Sequence, residues 1–147
     1  ISGVSSVTTA ASIVGALQAL KLTKIAIATP YHDALNAHEV AFLLDNGVEA
    51  LTIKGLGIGA GGPQEYIQIA RTPADKILAH VLSVDHPDAE AIFISCTDFP
   101  TLALIPELET KLDKPVITSN QVTLWAALRA AGINDQFEGC GKILSSF

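Results

Sequence analysis

The sequence predicts an α/β domain of three layers, a parallel sheet with helices on both faces, of the Rossmann-like or flavodoxin-like type. Strand-like and helix-like segments alternate along the whole chain, which is typical of repeated βα units. Hydrophobic residues make up 49% of the sequence and aromatic residues only 5%, a composition that suits a sheet buried on both faces. The 147 residues contain no internal repeat or linker, so we expect residues 1–147 to form a single lobe.

Each predicted element has a local signal. Capping residues, apolar residues at helical spacing and terminal glycines indicate the helices, whereas short apolar runs indicate the strands. In the first half these signals predict a helix from Thr8 or Thr9 to about Lys21, a strand at 24–28, a helix at 33–45 and a strand at 48–53. The glycine-rich segment from Gly55 to Gly62 that follows is a candidate lid.

The second half repeats the pattern. Prolines at the start of helical segments and a glycine after the last one provide the boundaries. The predicted elements are a helix at 63–69, a helix from Thr72–Pro73 to Leu82, a strand at 91–95, a helix at 100–112, a strand at 115–118, a helix at 122–131 capped by Ser119 or Asn120, and a short strand near Ile143. Strands joined by helices give a parallel sheet with right-handed crossovers.

Charge and hydropathy narrow the class of partner. The net charge is -6, and the nine Lys and Arg residues are scattered singly, so we expect no nucleic-acid partner and no anionic membrane partner. No apolar run approaches the ~18 residues of a membrane span, and no signal peptide is evident, which favours a cytoplasmic protein with a small-molecule partner. The sequence contains no Met, so we expect a processed chain or a fragment.

The residues that follow the predicted strands are the candidate site, because ligands of open parallel sheets bind outside the carboxyl ends of the strands. Cys96 lies where a strand gives way to a helix, so its sulfur would meet backbone N–H groups that favour a thiolate. Such a thiol can act as an acid, a base or a nucleophile. Neutral hydrogen-bonding residues follow the same strands and would hold a carboxylate or enediolate around the thiol: Thr29, Tyr31, Thr97, Thr118, Ser119 and Asn120.

Other interpretations of these residues are weaker. Cys96 could be a small buried hydrophobic residue, and Cys140, between two glycines, is interpreted as a bystander thiol. The four His residues share no zinc-ligand spacing and are interpreted as lying on solvated faces, so we expect no metal. The glycine run completes neither a phosphate-binding loop nor a dinucleotide fingerprint, and we expect no cofactor.

Three segments of the chain resemble the C-terminal lobe of maleate cis-trans isomerases and arylmalonate decarboxylases, which belong to the aspartate/glutamate racemase superfamily. The segments are Ile92–Phe99, Ile105–Glu109 and Lys114–Gln121, and Thr29–Pro30–Tyr31 and Trp125 extend the match over nearly the whole chain. The motifs are typical of the superfamily, but they do not distinguish the reactions of its members.

The resemblance implies a function and roles for the site residues. Members look like two similar α/β lobes that each contribute one cysteine to a cofactor-free site between them. Cys96 matches the cysteine of the second lobe and would donate and accept a proton; Tyr31 and Thr97 would bind a substrate carboxylate, and Thr118 to Asn120 would line the pocket. The implied activity is isomerisation of a small dicarboxylate, maleate to fumarate.

The sequence departs from the resemblance at one point. Cys140 does not stand in a matching motif, so the partner cysteine is missing from these residues. We therefore expect the C-terminal part of a two-lobe enzyme that forms a homo-oligomer or associates with a missing N-terminal lobe. Three alternatives stay open: an amino-acid racemase, an arylmalonate-type decarboxylase acting on a 2-substituted acid, and a non-catalytic lobe that binds small acids.

Overall fold

A computed structural model describes residues 6–147, which form a four-stranded parallel sheet with helices on both faces. The strands are β1 (Lys24–Tyr31), β2 (Glu49–Ile58), β3 (Ala91–Ile94) and β4 (Val116–Thr118), in the order β2-β1-β3-β4. The α-helices are α1 (Thr9–Ala19), α2 (Asp33–Asp45), α3 (Ala74–Ser83), α4 (Ile105–Leu112), α5 (Ser119–Ala130) and α6 (Lys142–Ser146). This order is that of flavodoxin-like sheets, so the predicted fold class is confirmed.

The sheet is buried on both faces because alternate side chains of each strand point to opposite sides. In β1, Ile25 and Ile27 contribute to one apolar core, which α1, α2, α5 and α6 cover. Ala26 and Ala28 contribute to the other core, which α3 and α4 cover together with a 3-10 helix at Pro63–Arg71. The near-continuous apolar strands of the sequence reflect this two-sided burial.

Three predictions are wrong: a helix cap, the start of a helix and the type of one element. The cap of α5 is Thr118, whose hydroxyl accepts from the Gln121 amide at 3.2 Å, rather than Ser119 or Asn120. The helix predicted to start at residue 100 begins at Ile105, after a 3-10 turn at Leu102–Leu104, because Pro106 suits the first turn of a helix. The segment near Ile143 is the helix α6, because Ile143 and Leu144 both reach the core from one helical turn.

The glycine-rich segment is also more ordered than the sequence predicts. Gly55 and Gly57 lie within β2, which extends to Ile58. Beyond it, the Glu65 carboxylate accepts hydrogen bonds from the Gly59 and Gly61 amides at 2.8 and 3.2 Å. A candidate lid is therefore restricted to the turn at residues 59–62. Within residues 6–147, none of the helices is both long enough and apolar enough to cross a bilayer.

Candidate active site

The candidate site lies where β1 and β3 end side by side. The chain leaves β1 towards β2 on one side and returns as β3 on the other, so the strand order reverses between β1 and β3. A crevice forms outside the carboxyl ends of the strands at such a point. Tyr31 is the last residue of β1, and Cys96 follows β3 by two residues. The topology therefore brings together the two residues that the sequence places 65 positions apart.

Cys96 has a strained backbone that its neighbours hold in place. Its φ is 115°, a conformation that residues other than glycine adopt at a cost of about 1–3 kcal/mol. Its amide donates to the Ser119 hydroxyl at 3.1 Å, and the Asp98 amide points at its sulfur from 3.4 Å. The side chain is 8% exposed. The Asp98 amide gives the sulfur a hydrogen-bond donor from the turn, whereas the helix predicted to follow Cys96 directly begins only at Ile105.

The Tyr31 phenol faces the Cys96 thiol. Burial raises the pKa of Tyr31 above its usual value, and the neighbouring Cys96, Glu39 and Asp98 raise it further. The phenol therefore stays protonated over the range of pH in which proteins are stable. A protonated phenol is a hydrogen-bond donor, which can serve a thiolate or a substrate oxygen.

The other predicted site residues divide into two groups. Three of them are buried, and their hydroxyls are used within the protein: Thr29 bonds to Asn36, Thr118 caps α5, and Ser119 accepts from Cys96. Thr97 and Asn120 are exposed, and the Asn120 amide donates to the Thr97 carbonyl at 2.7 Å. These five residues lie at the ends of β1 and β4 or beside the Cys96 turn, and their roles in binding substrate stay predictions.

Two functional candidates were missed by the sequence analysis. Glu39 on α2 lies beside Ser95 and Tyr31; burial raises its pKa, and the Ser95 side chain partly offsets that effect. His80 on α3 is half-buried and its ring contacts the Thr29 carbonyl at 3.0 Å, so the interpretation of all four His residues as solvated is wrong for His80. Both residues lie within helices, where periodicity alone gives no sign of a contact with another strand end.

Cys140 faces a different cavity from the Cys96 and Tyr31 pair, although Thr118 and Asn120 of the predicted site also line that cavity. It lines an apolar cavity of about 390 Å³ on the side of β4, together with residues such as Phe99, Leu124 and Phe137, and Cys96 is not among the lining residues. Both cysteines are free thiols. In the part of the chain that the structure describes, no group of three or more His, Cys, Asp or Glu residues is placed to hold a metal ion.

Comparison with known proteins yields one family. The arylmalonate decarboxylase of Bordetella bronchiseptica is 29% identical to the chain over 130 residues, which cover 88% of this chain and 53% of that protein. Maleate isomerase of Pseudomonas putida is 26% identical over 140 residues, covering 95% of this chain and 54% of that protein. A crystal structure of a Pseudomonas putida maleate isomerase with maleate has a TM-score of 0.87, at 26% identity, over 94% of this chain and 54% of that one.

The chain thus spans about half the length of the curated relatives that it matches. The resemblance to maleate isomerases and arylmalonate decarboxylases is confirmed by both the sequence and the fold. The family model of arylmalonate decarboxylase matches residues 1–144, which is nearly the whole sequence. On this evidence, the chain belongs to the arylmalonate decarboxylase family.

Proposed function

We propose that this chain is the cysteine-bearing C-terminal lobe of a cofactor-independent isomerase that converts a small dicarboxylate of the maleate type to its trans isomer. The observation that carries the proposal is the pair formed by Cys96 and Tyr31 at the meeting point of β1 and β3. A thiol that can exchange a proton lies beside a phenol that stays protonated. The similarity to maleate isomerases supports the choice of substrate class.

In the proposed reaction, Cys96 moves one proton. A thiolate from another lobe adds to one carbon of the double bond, while the Cys96 thiol gives its proton to the other carbon and becomes a thiolate. The bond between the two carbons is now single and can rotate. Elimination returns the proton to Cys96, releases the first thiolate and restores the double bond in the trans form. No oxidant, reductant or cofactor is needed, because every bond formed in the first step is broken in the second.

Neutral donors would hold the substrate carboxylates in this site. In this proposal the Tyr31 phenol, which neighbours Cys96, and the exposed Thr97 would donate to an anionic oxygen of the substrate. The strained turn fixes the direction of the Cys96 side chain, since the Ser119 hydroxyl and the Cys96 amide are joined at 3.1 Å. Preorganised donors stabilise developing negative charge without having to reorient during the reaction.

Decarboxylation of an arylmalonate-type 2-substituted acid is the second candidate. It is favoured by the family model and by the 29% identity to arylmalonate decarboxylase. Loss of carbon dioxide would leave an enediolate, and the Cys96 thiol would give it a proton, so a single cysteine would be sufficient for this chemistry. The residues of the site suit either reaction, because both need a proton at the same sulfur and donors for a carboxylate.

We also propose that this lobe works in association with a second, N-terminal lobe. Large apolar side chains are exposed around the cavity beside β4: Leu102 at 55%, Leu124 at 52% and Phe137 at 39%. Exposed apolar patches mark surfaces that other proteins or domains cover. Light scattering on residues 1–147 should therefore show self-association or aggregation; a monodisperse monomer would count against the proposal.

Proton NMR with maleate, and separately with phenylmalonate, tests the activity of the two-lobe protein that the proposal requires. We expect fumarate from maleate, and a loss of roughly 10³-fold or more in turnover in Cys96→Ser. Cys140→Ser is the matched control and should stay within about twofold of the unmodified protein, because Cys140 lies outside the site. Phenylacetate from phenylmalonate without fumarate from maleate would replace the first proposal by the second. Binding of either acid without turnover would leave a lobe that only binds small acids.

A further inference from the structure

A bulge in the sheet lies directly below the catalytic end of β1. Thr29 pairs with Gly55, but Tyr31 pairs with Ile58, so β2 contains one extra residue between the two pairs. Gly57, within the bulge, has a φ of 77°. A bulge interrupts the ladder of backbone hydrogen bonds and leaves its strands less firmly paired. The position of Tyr31 therefore needs support from outside the β1–β2 ladder.

Side chains supply this support from both faces of the sheet. From α2, Asn36 accepts the Thr29 hydroxyl at 2.6 Å, and that hydroxyl oxygen accepts from the Tyr31 amide at 3.1 Å. From α3, Nε2 of His80 contacts the Thr29 carbonyl oxygen at 3.0 Å. Thr29 is completely buried and Asn36 is 5% exposed, so the hydrogen bond between their side chains is shielded from water.

The Thr29 carbonyl determines which ring nitrogen of His80 carries the hydrogen. A carbonyl oxygen can only accept, so Nε2 of His80 must carry the hydrogen and donate. Burial lowers the pKa of His80; the Thr29 and Lys54 carbonyls oppose that effect, and the Lys54 and Lys76 side chains add to it. The ring therefore donates as a neutral imidazole near pH 7. This contact joins two residues that are 51 positions apart in the sequence.

We infer that His80 is a positioning residue: its hydrogen bond to the Thr29 carbonyl holds the end of β1 across the bulge and so sets the Tyr31 phenol against Cys96. The inference rests on the proposed function for the part that Tyr31 plays in the reaction. The geometric part stands separately, because the position of Tyr31 can be measured without substrate. The proposed reaction does not require a histidine, so His80 would act on the structure of the site and not on the substrate.

The experiment uses fluorine NMR of protein labelled with 3-fluorotyrosine. The sequence contains only two tyrosines, Tyr31 and Tyr66, so Tyr31→Phe assigns both resonances. His80→Gln keeps an N–H donor, whereas His80→Leu has a similar volume and no donor. His38→Ala, on the exposed side of α2, is the control. The fluorine spectra are recorded on residues 1–147, and maleate and phenylmalonate turnover is measured on the same variants of the two-lobe protein.

The expected result is a displaced or broadened Tyr31 resonance in His80→Leu only, with the Tyr66 resonance unchanged. In the same variant kcat/KM should fall about tenfold, and His80→Gln should stay within about twofold. An unchanged Tyr31 resonance in folded His80→Leu would overturn the inference, and so would failure of His80→Leu to fold, which would give His80 a purely structural role. If the unmodified protein turns over neither acid, the proposed function fails while the fluorine spectra still decide the inference.

Discussion

Cys96 and Cys140 pack into the cores on opposite faces of the sheet, Cys96 with α3 and α4 and Cys140 with α5 and α6, and their surroundings differ in kind. Cys96 is at a strained turn, with an amide aimed at its sulfur and a protonated phenol beside it. Cys140 lies in the tail before α6 and lines an apolar cavity. Its backbone carbonyl accepts a hydrogen bond from the Gln121 side chain. A thiol becomes a candidate catalyst through the backbone that holds it, not through its presence alone.

The regions around Cys96 and Cys140 also differ in their hydrogen bonds. Around Cys96 the hydrogen bonds join the ends of strands to neighbouring helices, as between Cys96 and Ser119 of α5 or between Thr29 and His80 of α3. Around Cys140 they attach the tail to α5, and the rest of the surface is apolar and partly exposed. The first region is built for fixed geometry and the second for contact with another surface. Four measurements test this division, from the largest expected effect to the smallest.

The largest effect is expected from Gly55→Ala in β2. A Cβ on Gly55 would overlap the Tyr31 carbonyl oxygen and lie 2.7 Å from Nδ2 of Asn36. Backbone atoms cannot move aside as a flexible side chain can, so we expect the free energy of unfolding to fall by about 3 kcal/mol in urea denaturation. Gly15→Ala in α1 is the control, because its Cβ would approach Trp125 only to 3.8 Å and alanine favours a helix by about 0.5–1 kcal/mol.

Equal stability of Gly55→Ala and the unmodified protein would show that the end of β1 is not tightly held. The tail provides a weaker counterpart in Gly141→Ala. Its φ is 82°, and a Cβ would overlap the end of the buried Gln121 side chain and lie 2.8 Å from Cγ2 of Ile105; these are side-chain atoms, which can shift at the expense of the Gln121 hydrogen bonds. We expect a cost of about 1–2 kcal/mol there, smaller than at Gly55.

The second prediction concerns Tyr31→Phe, which removes the phenol and keeps the ring. If the phenol donates to a substrate oxygen, kcat should fall roughly 10²-fold while the melting temperature changes little. Leu124→Ala, which enlarges the cavity beside β4, is the control and should leave kcat within about twofold. A similar loss of activity in both variants would remove the functional distinction between the two regions.

The third prediction concerns Gln121, which joins the regions. Its Oε1 accepts from the Thr118 amide at 3.2 Å and its Nε2 donates to the Cys140 carbonyl. Gln121→Leu leaves both backbone groups without a partner, at a cost of about 1–3 kcal/mol. We expect iodoacetamide to alkylate Cys140 faster in this variant and Cys96 at an unchanged rate, as measured by peptide mass spectrometry. Gln121→Glu keeps the acceptor and should fall between the two; faster alkylation of Cys96 would contradict the prediction.

The smallest effect is expected from Glu39→Gln. Burial raises the pKa of Glu39, so the folded protein holds its proton more tightly than the unfolded chain, and the charged carboxylate lowers stability once the pH exceeds its ordinary value of 4.5. Removal of the charge should therefore raise the melting temperature slightly near pH 7 and have no effect at about pH 4. A variant that is less stable than the unmodified protein near pH 7 would show that the carboxylate is needed for the fold.

The sequence by itself determined the fold class, the strand ends that form the site and the family. Apolar runs, caps and terminal glycines are local signals, and the carboxyl ends of parallel strands always share one edge, so Cys96 and Tyr31 could be grouped in advance. The segments around Cys96 and after β4 indicated the family because they combine distinctive residues in a fixed order.

Only the tertiary structure decided how the site is held. The positive φ of Cys96, the bond from its amide to Ser119 and the contact of His80 with Thr29 join residues far apart in sequence. Such contacts depend on strand order, on the bulge in β2 and on the exact length of each helix. None of these features produces a periodic pattern in the sequence. For the same reason α6 replaced the predicted strand near Ile143: contact with the core, rather than local preference, chose its conformation.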